Sequence, residues 1–284
     1  MKIQAEARLD SFKGQPAILL RTQDGAQAAL SLLGGTLIAW QPAGGASWIY
    51  LSPQAKFETG TSIRGGAPVI FPQFSNKGPL PRHGWVRNRL WEPGVLRAQG
   101  EYALASVQYK NGEEDRSIWP YAFELELTAS IEGGRLDLEL AVTNVDKQAF
   151  TFATALHTYF ALKELEHASL SGLQGYQYLN QLAGDARVRE NNETLMFEEE
   201  VDRIYLNTVK PLVLQDGNRS LLISQKGFLD TVVWNPWEEG AKGMPDMPNQ
   251  DFRHMLCIEA ATIAKPIELA PGATWVGQQT LSVL

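Results

Sequence analysis

The sequence predicts an all-β protein, built as a large antiparallel β-sandwich. Three observations carry that expectation. Apolar and polar residues alternate with period two along much of the chain, glycine-rich turns separate the alternating runs, and helical periodicity is scarce. The alternation is clearest where Phe123, Leu125 and Leu127 interleave with Glu124, Glu126 and Thr128, and where Leu136, Leu138, Leu140 and Val142 interleave with Asp137, Glu139, Ala141 and Thr143. Between these runs, Glu132-Gly133-Gly134-Arg135 reads as a hairpin turn, because paired glycines accept the positive φ angles that tight hairpins need. Taken in order, further strand-like runs fall at 17–21, 28–32, 36–41, 106–109, 210–214, 221–224, 231–235 and 275–281, with turns at Asp24-Gly25, Gly34-Gly35, Gly44-Gly45 and Asp216-Gly217. Residues 53–57 offer a turn or two of helix. Strands do not alternate with helices, so a parallel α/β fold is not expected. No repeat and no linker-like shift in composition divides the chain, and one domain spanning 1–284 is the economical reading.

Composition narrows the functional classes. The chain has 284 residues, 44% of them hydrophobic and 20% charged, ample for a core without disulfides or metal. Its net charge of −7 disfavours nonspecific nucleic-acid binding. A single cysteine, Cys257, excludes an internal disulfide and fits a reducing compartment. The N-terminal residues lack the apolar run of a signal peptide, and no apolar stretch approaches the ~20 residues of a membrane span. A cytoplasmic protein is expected. The phosphate-binding loop Gly-x-x-x-x-Gly-Lys-Ser/Thr, the Gly-x-Gly-x-x-Gly fingerprint, His-Glu-x-x-His, paired zinc cysteines and the Gly-x-Ser-x-Gly elbow are all missing from the sequence.

One stretch departs from this acidic background. Arg64-Gly65-Gly66-Ala67-Pro68, Phe71-Pro72-Gln73-Phe74 and Pro81-Arg82-His83-Gly84-Trp85-Val86-Arg87 crowd cations, glycines, prolines and aromatics together. A packing strand has little use for that mixture, whereas a loop that holds an anionic ring-shaped ligand does. Arginine presents a planar fork of donors matched to phosphate or carboxylate, glycine permits close backbone approach, and proline fixes the loop. An ordinary surface turn with exposed arginines is the alternative.

Acid–base candidates are few. Of four histidines, His157 lies in the mostly apolar run 152–160, where burial would tune a group that already titrates near neutrality. A satisfied core histidine is the alternative. Glu259 lies in the apolar run 255–261, and a carboxylate there is costly unless paired or useful. Its alternatives are a structural ion pair or an outward-facing strand position. Cys257 would share the face of Glu259 in an extended run and reads as a packed small hydrophobe. The run Glu198-Glu199-Glu200 reads as a solvated face, and Asp230, Asp246 and Lys242 as possible rim residues or parts of a plain loop.

The chain resembles the aldose 1-epimerase (galactose mutarotase-like) superfamily, and within it the branch acting on hexose 6-phosphates. The matching pieces are Ile63-Arg64-Gly65-Gly66-Ala67-Pro68-Val69-Ile70-Phe71-Pro72, His83-Gly84-Trp85-Val86-Arg87-Asn88, Leu156-His157-Thr158-Tyr159-Phe160, Val201-Asp202-Arg203-Ile204-Tyr205, Asp230-Thr231-Val232-Val233-Trp234-Asn235-Pro236-Trp237 and Cys257-Ile258-Glu259. They occur in family order across most of the chain. The resemblance implies a β-supersandwich, His157 as catalytic acid, Glu259 as catalytic base, and substrate contacts at Arg64, Arg87 and Asp202. The position before His83 also contacts substrate in relatives. It is Arg82 here, where some members carry glutamine. Ala260-Ala261 replaces a frequent Pro-Gly.

The implied reaction interconverts the α and β anomers of glucose 6-phosphate by ring opening and reclosure. It needs only proton transfer and positioning, so no cofactor and no metal are expected. Arg64, Arg82 and Arg87 would hold the phosphate, Asp202 the sugar hydroxyls, and His83 either substrate or its own loop. Trp85, Phe74, Tyr159 and Trp237 are candidate walls, at least half of them expected to pack in the core. The expected partner is a small molecule, a hexose 6-phosphate, with no nucleic acid, no membrane, and a monomeric protein. The rivals are a free-aldose 1-epimerase, a noncatalytic sugar-phosphate-binding protein on the same fold, and a glycoside hydrolase or lyase using Asp202 or Asp230 as a second carboxylate.

Overall fold

The computed structural model describes residues 4–284. Its backbone is the hairpin read from the sequence, extended many times over. Phe123–Glu132 pairs antiparallel with Arg135–Asn144, and Glu132 faces Arg135 across the two-glycine turn. This hairpin sits within a nine-stranded sheet, in the spatial order Thr194–Met196, Ala168–Ser171, Leu212–Asp216, Arg219–Lys226, Thr274–Val283, Arg135–Asn144, Phe123–Glu132, Tyr102–Lys110, Glu92–Gln99. A second sheet runs Ala186–Arg189, Gln177–Asn180, Val201–Tyr205, Asp230–Asn235, Met255–Leu269, Phe150–Leu156, Val69–Ile70, with Tyr159–Ala161 beside Met255–Leu269. Phe152, Leu156, Val233 and Ile258 of the second sheet join Leu138, Leu140, Ile223 and Leu281 of the first in one apolar core. The expected antiparallel β-sandwich is therefore what the chain forms. A third sheet, Glu6–Phe12, Gln15–Arg21, Gln27–Ser31 and Thr36–Gln41, adds Ile18, Leu30, Leu37 and Trp40 to the same core.

Some elements differ from the sequence reading. Residues 53–57 form no helix: Ala55 N–H donates to Ser52 C=O at 3.1 Å, a single turn. A short helix, Glu113–Ile118, appears instead, its first turn acidic and its N-terminal end closed by the carboxylate of Asp115. The apolar run 152–160 is not one strand. It breaks after Leu156 and resumes at Tyr159. Among the described residues, no helix is long and apolar enough to cross a membrane.

Met255–Leu269 organises the site because its two faces meet different surroundings. Leu256, Ile258 and Ala260 point into the sandwich core, while Cys257 and Glu259 point to the opposite face. On Asp230–Asn235, Val233 faces the core, and Val232 and Trp234 face the other way. Long loops cover that second face. Two glycines fix them: a Cβ on Gly66 would lie 2.3 Å from the Leu37 carbonyl oxygen, and one on Gly84 1.7 Å from that of Phe71, both at positive φ. Here glycine admits neighbouring backbone, not ligand, and so pins the loops that carry Arg64 and His83.

Candidate active site

All seven residues singled out for function line one cleft: Arg64, Arg82, His83, Arg87, His157, Asp202 and Glu259. The floor is sheet. Val232 stands directly opposite Glu259, and Asp202 opposite Trp234, so cross-strand pairing places these side chains on one face. The walls are loop. The cleft encloses about 820 Å³, its open mouth included.

The register brings the acid–base candidates together. Ala155 faces Ala261 and Leu156 faces Ala260 before the strand break; Tyr159 faces Cys257 after it. The count is unchanged across the break, which sets His157 opposite Glu259. Their side chains meet at 3.3 Å, Nε2 to Oε1. On the strand's other side, His157 N–H donates to Pro68 C=O at 2.9 Å, in register with the Leu156–Val69 pair. The imidazole stacks on Tyr159, with ring centres 4.9 Å apart and planes 15° apart, and meets Trp234 edge-on at 5.8 Å. Glu259 is 1% exposed. Burial pushes its carboxyl well above the usual range, with the charge of Asp202 adding to the rise and Arg87 opposing it. Burial pushes His157 well below its ordinary value, reinforced by His83, Arg87 and Arg64. His157 Nδ1 and Glu259 Oε2 are buried without a hydrogen-bond partner in the protein. Such orphaned atoms are uncommon, and these two belong to residues that line the cleft.

The cations differ in how they are held. Arg64 Nε pairs with Asp246 at 3.1 Å and its Nη1 donates to Tyr159 Oη at 3.0 Å, so this guanidinium is fixed from two sides. Arg87 has no carboxylate partner among the described residues: Nη2 donates to the Arg82 carbonyl at 3.4 Å, and Nε is buried and unpartnered. Burial, with Arg64 and Arg82 nearby, brings Arg87 down to about 10, still charged at neutral pH. Arg82 is exposed at the mouth. His83 has φ +63°, and its Nδ1 accepts from Ser75 N–H at 3.2 Å, which leaves the proton on Nε2. Burial first, then Arg87, Arg82 and Arg64, push His83 down to about 3. Asp202 accepts from the Gln181 side chain, and burial raises its carboxyl to about 6.

Other candidates sort themselves. Phe74 and Tyr159 line the cleft, whereas Trp85 packs in the core and Trp237 against Phe252 at 5.3 Å. Asp230 is a structural buried carboxylate, accepting from the N–H groups of Ile263, Ala264 and Asn207 at 2.8, 2.9 and 3.3 Å. Those bonds leave it no part as a second carboxylate. Cys257 is buried on the face of Glu259, and burial raises its thiol well above the ordinary value. Lys242 pairs with Glu238 and Glu239 on its own short helix. Sequence reasoning missed Gln181 and Trp234 as lining residues. Trp234 could have been found from period two, since it shares the face of Val232. Gln181 lies in a 3-10 turn and carries no such signal. Among the described residues, no cluster of three or more His, Cys, Asp or Glu side chains could hold a metal ion.

Comparison with known proteins gives a consistent picture. A family model described as aldose 1-epimerase matches residues 16–282. A Cenchrus ciliaris protein named "Putative glucose-6-phosphate 1-epimerase" is 34% identical, over 95% of this chain and 85% of its own length. An Escherichia coli protein of the same name is 30% identical, over 86% of this chain and 85% of its own. A solved structure from Salmonella typhimurium, titled a "putative mutarotase", superposes with a TM-score of 0.90 at 25% identity, covering 98% of this chain and 93% of that one. A galactose 1-epimerase from Lactobacillus acidophilus shares the fold, with a TM-score of 0.76 at 16% identity and 99% of each chain covered.

Proposed function

The chain belongs to the aldose 1-epimerase family, and on that premise we propose that it is a hexose-6-phosphate mutarotase interconverting the α and β anomers of glucose 6-phosphate. The observation that carries this reading is the 3.3 Å contact of His157 with Glu259 at the floor of a cleft whose walls hold Arg64, Arg82 and Arg87. The names of the curated relatives point to the same substrate.

Glu259, as the carboxylate, takes the proton of the C1 hydroxyl while protonated His157 gives one to the ring oxygen, and the hemiacetal opens. The C1–C2 bond rotates, the carbonyl presents its other face, and closure returns both protons. The pair carries one proton throughout: on His157 before opening, on Glu259 in the open aldehyde. In water the imidazole would hold it firmly. Burial raises the proton affinity of Glu259 and lowers that of His157, drawing the two together. Shifts in these directions ease a proton transfer that must run both ways. Arg87, a half-buried cation lacking a carboxylate partner, is the arginine whose environment most favours a bound phosphate. Asp202 accepts from sugar hydroxyls, since a carboxylate beside phosphate would repel it. Phe74 and Trp234 offer apolar surface to the sugar faces.

A single domain and a monomer suffice for this chemistry, because one contiguous core reaches from Ile18 to Leu281 and every residue invoked comes from one chain. The lone cysteine is buried and free, which fits the reducing cytoplasm. Two-dimensional exchange NMR on equilibrated glucose 6-phosphate, with glucose alongside, tests the reading. The expected result is anomeric exchange accelerated strongly for the phosphate and weakly for glucose. Acceleration of glucose alone would make the protein a free-aldose 1-epimerase, and binding without acceleration a noncatalytic sugar-phosphate binder.

A further inference from the structure

Gln279 belongs to the nine-stranded sheet, on the far side of the sandwich from the cleft. It lies on Thr274–Val283 between inward-facing Gly277 and Leu281, and is 1% exposed. A primary amide in an apolar interior is unfavourable unless its bonds are made. Both ends of this one are used. Nε2 donates to the Ile258 carbonyl at 3.0 Å, and Oε1 accepts from the Thr158 hydroxyl at 2.6 Å. Ile258 immediately precedes Glu259, and Thr158 immediately follows His157.

The reason for the amide lies in the strand break. Ile258 N–H donates to Thr158 C=O at 3.1 Å, which is half of the reciprocal pair that an antiparallel ladder would form there. The other half is missing, because Thr158 N–H is turned back to Leu156 C=O at 2.9 Å. That turn leaves the other side of the strand in register, where His157 N–H donates to Pro68 C=O as the next rung after the Val69–Ile70 pairing. It also leaves the buried Ile258 carbonyl without its ladder donor. Gln279 supplies that donor from the opposite sheet and anchors Thr158 with its other end.

We propose that Gln279 is a positioning residue for the catalytic pair: it replaces the ladder bond given up at Thr158, and so fixes the backbone on which His157 and Glu259 face each other. This inference rests on the acid–base reading of those two residues. Without the amide, the Ile258 carbonyl would recruit Thr158 N–H, straighten the strand and shift His157 relative to Glu259. A misplacement of order 1 Å at reacting groups lowers rates by up to about 100-fold.

The test compares Gln279→Met, Thr158→Val and their combination with wild type and Glu259→Gln, by glucose 6-phosphate exchange rates normalised to folded protein well below each melting temperature. Expected are kcat losses of about 10- to 100-fold with KM within twofold, and a double variant no worse than the more impaired single one, because both act on one strand break. A purely structural role would lower the melting temperature and leave kcat per folded molecule within twofold of wild type, and that result overturns the inference. Thr158→Val removes only the hydroxyl and decides the matter alone if Gln279→Met does not fold. Normal exchange in Glu259→Gln would overturn the acid–base reading itself. An inactive Glu259→Gln beside fully active Gln279→Met and Thr158→Val would overturn only the role of Gln279.

Discussion

The two faces of the eight-stranded sheet obey the same alternation and meet opposite fates. On the sandwich side, Leu256, Ile258, Ala260 and Val233 press against the nine-stranded sheet and contribute packing. On the cleft side, Glu259, Val232 and Trp234 stand on the same strands, one residue out of phase, and Asp202 stands on the neighbouring Val201–Tyr205. In an ordinary sandwich that second face would be solvated, and its polar residues would titrate normally. Here loops cover it, so its carboxylates are desolvated and their proton affinities rise. The chain builds stability on one face and perturbed chemistry on the other, with adjacent residues serving each.

Two neighbouring substitutions probe that division hardest. Glu259→Gln is expected to slow anomer exchange by about 10²- to 10⁴-fold, the usual contribution of a positioned acid or base. It should leave the protein at least as stable at neutral pH. The folded-state affinity of Glu259 is raised, so the native state binds more protons than the unfolded one above the ordinary carboxylate range, and the residue lowers stability there. Ile258→Ala should do the reverse, removing about 2–5 kcal/mol of stability while sparing exchange per folded molecule. Exchange rates and urea midpoints for both proteins make the comparison. A stable, fully active Glu259→Gln would break it.

The arginines sharpen it next. Arg64 is held by Asp246 and Tyr159, whereas Arg87 is half-buried and in contact with no carboxylate among the described residues. Arg87→Met should lower kcat/KM for glucose 6-phosphate by about 10- to 100-fold, the worth of one or two charge-assisted bonds, and change the rate for glucose by about twofold or less. Equal losses on the two sugars would mean that Arg87 shapes the cleft and does not select phosphate.

How much of this could be read from the sequence follows the same divide. Strands that bury one face announce themselves, and so the hairpin at Gly133-Gly134 and the runs around Leu138 and Ile223 were legible. Glu6–Phe12 was not, because its residues are mostly exposed and nothing forces alternation on them. Glu92–Gln99 was hidden by Pro93 and Gly94, which an edge strand with a bulge tolerates. Glu259 and the arginine loop stood out because their residue types contradict their surroundings. Gln279 stood out less. A polar residue in an alternating strand looks ordinary until the opposite sheet reveals a carbonyl in need of a donor. Nor does the sequence give the partners of each cation. Arg89, in the same stretch as Arg87, turns instead to Asp115 at 3.4 Å.

A smaller effect concerns His83, whose ring lies edge-on to that of His157 at 5.7 Å. His83 is kept neutral, with a folded value of about 3 against the ordinary 6.5. As pH falls below 6.5 the unfolded chain takes up a proton that the native state refuses, so this residue makes stability decline on acidification. His83→Asn should remove the effect, and asparagine suits the φ of +63° at this position. From pH 7.5 to 5.5 the wild type should lose about 1.4 kcal/mol more than the variant, read from urea midpoints at the two pH values.

The smallest expected effect concerns Asp202, the other carboxylate on the cleft face. Burial raises it to about 6, so at neutral pH it is ionised and able to accept hydrogen bonds from hydroxyls, and below pH 6 it gains a proton and loses that capacity. The substrate phosphate also titrates near 6, which would obscure the limb with glucose 6-phosphate. Free glucose removes that overlap. With glucose as a slow substrate, wild-type exchange should fall on the acid side of about pH 6, and Asp202→Asn should flatten that limb at the expense of a few-fold loss at neutral pH. A limb unchanged in Asp202→Asn would assign it to the His157–Glu259 pair. The two carboxylates of this face would then differ in kind, Glu259 moving a proton and Asp202 only holding the sugar for it.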